Sequence, residues 1–86
     1  MILRIISVNA NGLNDNTTRH YFFKDMIATH YDVILIQESH ITQDRIEHVK
    51  KQWKGVGGYD SYWKPGPSAR SGGTATLILN LSLIHI

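Results

Sequence analysis

The chain of 86 residues has no cysteine, only two prolines and little charge of either sign. The missing cysteine excludes disulfide staples, thiolate zinc sites and cysteine nucleophiles, and it leans towards a reducing compartment. Both prolines fall in one stretch, "PGPSARSGG" (65–73), which reads as a loop. No run approaches the roughly 18 apolar residues of a membrane span. No cationic segment precedes an apolar one at the amino end, so the expectation is a soluble, unexported, intracellular chain. Nine Lys and Arg against seven Asp and Glu leave a net charge of +2. That falls short of the cationic field of a protein that binds nucleic acid by charge alone, yet it does not exclude a phosphate-bearing partner.

What is present has the composition of an ordinary globular protein, 42% hydrophobic and 19% charged with no low-complexity run, which argues against disorder. At this length one domain is the upper bound, and a domain this small buries only about 60% of its unfolded surface. "ILRIISVN" (2–9) is a near-continuous apolar, β-branched run, as expected for a strand buried on both faces. After the "NANGLND" turn, residues 16–31 place Phe22, Phe23, Met26 and Ile27 on one stripe at helical spacing, with Asn16 or Thr17 as N-cap. "DVILIQE" (32–38) repeats the buried-strand signature. Thr42 can cap a second amphipathic helix carrying Ile46, Val49 and Trp53 and closed by Gly55. A short strand from Tyr59 to Trp63, a loop, and a strand from Thr74 to Asn80 follow. The order β-α-β-α-β-β predicts a layered α/β fold cut short after its fourth strand.

The first strand, first helix and second strand form a βαβ unit, whose crossover permits parallel strands. Asn9 and Glu38 then lie at carboxyl ends of strands on one sheet edge, where open α/β sheets place ligands. As neighbours about 4.8 Å apart, such strands let an amide oxygen and a carboxylate converge on one small cation. An oxygen-only pair suits a hard ion, Mg²⁺ or Mn²⁺. The same residues also fit a purely structural role, with Asn9 and Asn11 as turn formers before Gly12 and Glu38 as a cap.

"SVNANGLN", "YDVILIQESHIT", "GYDSYW" and "RSGGTATLIL", in this order and spacing, resemble the amino-terminal part of the endonuclease/exonuclease/phosphatase family. Within it they are most similar to the apurinic-like endonuclease domain of non-LTR (LINE-type) retrotransposon polyproteins. The resemblance implies a four-layer α/β sandwich of two packed sheets, of which residues 1–80 are the amino-terminal part. It implies metal-assisted hydrolysis of a DNA phosphodiester, with Asn9 and Glu38 at the Mg²⁺ or Mn²⁺ site and Asn11 shaping it. It also implies DNA as partner, a reverse transcriptase downstream in the parent polyprotein, and a nuclear site of action. The family's later Tyr, Asp-x-Asn and Asp-His motifs have no counterpart in this sequence, so the chain alone is expected to be inactive. Alternatives are another phosphodiesterase or a phosphomonoesterase of the same family, or a non-catalytic remnant.

The remaining candidates divide between site and surface. His40, just past Glu38, reads as a substrate-side contact or an exposed loop histidine, whereas His20, His30 and His48 fall in the expected helices as non-ligands. Arg70 and Lys64 are either solvated or in contact with a DNA phosphate. Trp53 reads as core and Trp63 as core or inter-sheet packing, neither as a base-stacking platform. The final "LSLIHI" (81–86) looks like a translated sequencing-library adapter, with a continuing strand as the alternative, and carries no functional argument.

Overall fold

Three runs rich in β-branched residues and one short segment centred on Tyr62 and Trp63, set between polar turns, give four short strands, and two longer segments give helices. The computed structural model describes residues 2–79. Its elements are β1 (Ile5–Asn9), α1 (Asn16–Ala28), β2 (Val33–Gln37), a 3-10 turn (Gln43–Arg45), α2 (Ile46–Gly55), β3 (Asp60–Lys64) and β4 (Thr74–Ile78). The result is a small mixed α/β domain with one four-stranded sheet and the expected element order. Asn80 and the "LSLIHI" stretch lie outside the described residues.

The sheet order is β1-β2-β4-β3. β1 and β2 are parallel, with Ile5 opposite Val33 and Asn9 opposite Gln37. β4 runs antiparallel to both β2 and β3. β1, β2 and β3 therefore point the same way, with β4 reversed between the last two.

Strand alternation divides the sheet into two unlike faces. Ile6, Val8, Ile34, Ile36, Ala75, Leu77 and Trp63 point into a single core cluster, where they meet Phe23 of α1 and Ile46, Val49 and Trp53 of α2. Both helices thus cover the same face. Phe23 packs edge-on against Trp53 with ring centroids 5.1 Å apart, and against Trp63 at 6.3 Å. Trp53 is fully buried, and its indole Nε1 donates to the Asp60 carbonyl at 2.8 Å, which supplies the polar partner a buried Trp needs. On the other face Ile5 is 51% exposed, Leu35 38% and Tyr62 58%.

The sequence-based expectation of strands buried on both faces is therefore corrected. β1 alternates between exposed and half-buried residues, because the two helices share one side of the sheet. The first helix also departs from expectation at both ends. Its N-cap is Asp15, whose Oδ2 accepts the Thr18 N–H at 2.8 Å, rather than Asn16 or Thr17. That bond holds the Asp15 carboxyl below the ordinary aspartate range. The helix stops at Ala28, where Thr29 Oγ1 donates to the Met26 carbonyl at 2.7 Å, and His30 follows at φ +61° outside it. Thr42 precedes a 3-10 turn instead of capping α2 directly, its hydroxyl engaging Asp44. The third strand is shifted one residue on, to Asp60–Lys64. Among the described residues, no helix is long and apolar enough to cross a membrane.

Candidate functional site

The carboxyl ends of β1, β2 and β3 share one edge with the start of β4, where the row Asn9, Gln37, Thr74, Lys64 runs straight across the sheet. Three loops continue from this row: residues 10–15, 38–42 and 65–73. Every candidate named from the sequence stands on it or on those loops: Asn9 and Lys64 in the row, Asn11, Glu38, His40 and Arg70 beyond it.

Backbone hydrogen bonds tie these loops together past the end of the regular sheet. Ala10 N–H donates to the Gln37 carbonyl at 2.9 Å, Gly12 to Glu38 at 2.8 Å and Leu13 to Ser39 at 2.8 Å. From the other side Ser39 N–H donates to Gly73 at 3.1 Å and His40 N–H to Gly72 at 2.9 Å. Glu38 thus lies one residue past the partner of Asn9, on a strand bonded to its own.

The chain adopts left-handed backbone repeatedly here. Asn11 (φ +50°), Gly12 (+99°), Glu38 (+54°) and His40 (+60°) all lie in that region. Asn and His adopt it more readily than most residues, whereas Glu does so at a cost of order 1–3 kcal/mol. Gly12 is required twice over. Its φ disfavours any side chain, and a Cβ there would sit 2.8 Å from Nδ1 of His40. The His40 ring fills the space a side chain at position 12 would take.

Asn9 Oδ1 accepts the Asn11 N–H at 3.1 Å, an Asx turn that fixes the carboxamide at the strand end. An amide oxygen has two acceptor sites, so one remains for a cation. The Glu38 side chain is 46% exposed, with one carboxylate oxygen 3.8 Å from Nε2 of His40, too long for a hydrogen bond. Its oxygens keep their capacity to accept. An amide oxygen and a carboxylate on adjacent strand ends match the ligands Mg²⁺ takes from a protein when waters and phosphate complete its shell. Among the described residues, no group of three or more His, Cys, Asp or Glu forms a metal-binding cluster.

Arg70 is exposed on the 65–73 loop, its backbone N–H donating to Ser68 Oγ at 3.1 Å. His20 and His48 lie on the two helices. His48 is exposed, with Nε2 3.2 Å from Oδ1 of Asn16. A cavity of about 230 Å³ between Ile27, His30, Tyr31, Asp32 and Leu79 is lined by none of Asn9, Asn11, Glu38, His40 and Arg70.

Sequence reasoning missed Arg19. It is fully buried, and burial, followed by the charge of Arg45, pushes its pKa down. No local pattern marks it, because a lone Arg at a helix start ordinarily faces solvent.

A comparison with known family models finds none that matches, and none of the curated proteins matches at a significant level.

Proposed function

We propose that the chain is the metal-binding portion of an endonuclease/exonuclease/phosphatase-type domain. In this reading the parent is a Mg²⁺- or Mn²⁺-dependent DNA endonuclease of a LINE-type retrotransposon polyprotein, with a reverse transcriptase downstream. The observation that carries it is the gathering of Asn9, Asn11, Glu38, His40 and the Arg70 loop on one sheet edge. This is the edge at which an open α/β sheet offers ligand sites. The proposal extends to the fold: the exposed face bearing Ile5, Leu35 and Tyr62 is the side on which a second sheet packs to complete a four-layer sandwich.

Asn9 and Glu38 would hold the cation, one with Oδ1 and one with a carboxylate oxygen. When bound, the ion supplies electrostatic stabilisation of the phosphate and of the leaving oxygen. Asn9 orients, through its Asx turn. Glu38 contributes charge. Asn11 fixes the turn, and Arg70 and Lys64 meet the backbone phosphates of DNA. The residues that would activate water have no counterpart in the sequence, so phosphodiester cleavage is not expected from these 86 residues alone.

The test is a thermal melt with and without Mn²⁺. At a hundredfold excess over Kd a single-site ligand stabilises by about 2.7 kcal/mol, a shift of many degrees in a domain this small. Glu38→Ala should abolish it. Equal melts with and without Mn²⁺ would sink the metal reading, and nicking of supercoiled plasmid by the isolated chain would overturn its inactivity. The second reading, a non-catalytic remnant, draws on the Asx turn itself: Asn9 already has a structural task in accepting the Asn11 N–H. It anticipates melts indifferent to Mn²⁺ and equal for wild type and Glu38→Ala.

A further inference from the structure

We infer that Arg19 is a positioning residue, a buried strut that holds the 10–14 loop, and with it Asn9 and Asn11, against Glu38. The inference rests on the metal reading for its functional meaning, but its structural content stands on contacts of this chain alone.

Arg19 belongs to α1 yet spends its guanidinium on the loop before that helix. Nη1 donates to the Leu13 carbonyl at 2.9 Å and reaches the Asn14 carbonyl at 3.4 Å. Nη2 donates to Oδ1 of Asn16 at 2.8 Å. Nε donates to Oε1 of Gln52 on α2. Three nitrogens serve four acceptors in three directions, which the planar fork of Arg permits and the single ammonium of Lys does not.

The contact to Leu13 matters most. Its carbonyl is held by Arg19, while its N–H donates to Ser39 at 2.8 Å and the preceding Gly12 N–H donates to Glu38 at 2.8 Å. The loop is therefore pinned from both sides, by the β2 extension on one and by the strut on the other. Gln52 reinforces it by donating from Nε2 to the Asn16 carbonyl at 3.3 Å, and Arg45 Nη1 donates to Oδ1 of Asn14 at 3.3 Å. Loop, α1 and α2 thus meet at one buried cation. Full burial of Arg19 makes this a demanding arrangement, since removing the acceptors or the fork leaves a buried polar group unmet.

The experiment uses the full 86-residue chain and compares wild type, Arg19→Lys and Gln52→Ala by residue-resolved amide hydrogen exchange and by paramagnetic broadening during Mn²⁺ titration. The expected result for Arg19→Lys is a several-fold loss of exchange protection confined to Gly12 and Leu13, with β3 and β4 unchanged, together with Mn²⁺ affinity weakened about 10–100-fold, as for loss of a ligand-orienting contact. Gln52→Ala, which removes one acceptor and keeps the guanidinium, should show the same pattern more weakly. A merely structural Arg19 would lower protection evenly across the sheet. That even pattern, or an Arg19→Lys chain matching wild type in both readouts, overturns the inference. If Arg19→Lys does not fold, Gln52→Ala decides by the same criterion. A wild-type chain without protected amides at Gly12 and Leu13 also overturns it, for the loop is then not held. Loop protection that depends on Arg19 while Mn²⁺ broadens no resonance near Asn9 or Glu38 would keep the strut and sink the metal reading.

Discussion

The two faces of the sheet are made from the same strands and treated in opposite ways. On one, Ile34, Ile36 and Leu77 meet Trp53, Val49 and Phe23 in a closed cluster with essentially no exposed surface. On the other, the neighbouring residues Ile5, Leu35 and Tyr62 stand in solvent. Leu35 lies between Ser7 and Thr76 on this face, and Asp60 stands opposite Ile78, so the open face is mixed in polarity, whereas the crossovers after β1 and β2 both put their helices on the more apolar side. An apolar, uncovered sheet face is a liability for a free-standing domain and an asset for one that packs against another layer. Stability therefore resides on the covered side.

The largest effect that would break this contrast is on the covered side. Trp53→Ala should cost about 3–5 kcal/mol in urea unfolding, a large share of what a chain of this size has. A loss below about 1 kcal/mol would mean that the cluster is not the core. Next comes the polar edge, where Gly12→Ala combines a disfavoured φ with the approach to His40 and should destabilise by about 1–3 kcal/mol. On the open face, Leu35→Ala and Tyr62→Ser should each change stability by no more than about 0.5 kcal/mol. They should nevertheless reduce self-association in sedimentation. If either destabilises as Trp53→Ala does, something covers that face in solution.

The smallest effect is acid-dependent and sharpens the picture of α1. The Asp15 carboxyl titrates below its ordinary value of 3.8 in the folded chain. Its contribution is therefore complete above that value and is lost as pH falls through the lowered one. The thermal midpoints of wild type and Asp15→Ala should differ at about pH 6 and converge as the pH falls through the lowered value. A difference that persists in acid would show that the cap works without its charge.

Much of the architecture was legible in local pattern. The β-branched runs marked both parallel strands, and the spacing of Ile46, Val49 and Trp53 marked the buried face of α2. The candidate site was legible as two polar strand ends, since Asn9 and Glu38 each follow an apolar run. What escaped depends on contacts distant in sequence. An apolar run reads the same whether one or both faces are covered, so the exposure of Ile5 and Leu35 could not be seen. Asp15 took the cap from Asn16 and Thr17 because a one-residue choice among good capping residues turns on the entry angle of the chain. Arg19 was invisible because its acceptors come from the loop behind it and from Gln52, 33 positions away.

The reversed placement of β4 bears on the order of assembly. β1, α1 and β2 are consecutive and can pair as soon as they exist, but among the described residues β3 has no hydrogen-bonded neighbour strand except β4. The third strand must wait for the fourth, while α2, which packs on β3, is also held to α1 by the Phe23–Trp53 contact. During synthesis the first half would be a βαβ unit with an incomplete core. Closure comes when residues 74–78 pair with β2 and bring β3 in on their far side, a long-range pairing of the kind that slows folding. The last described strand is the keystone, and shortening the chain by that strand would leave β3 without the strand it pairs with.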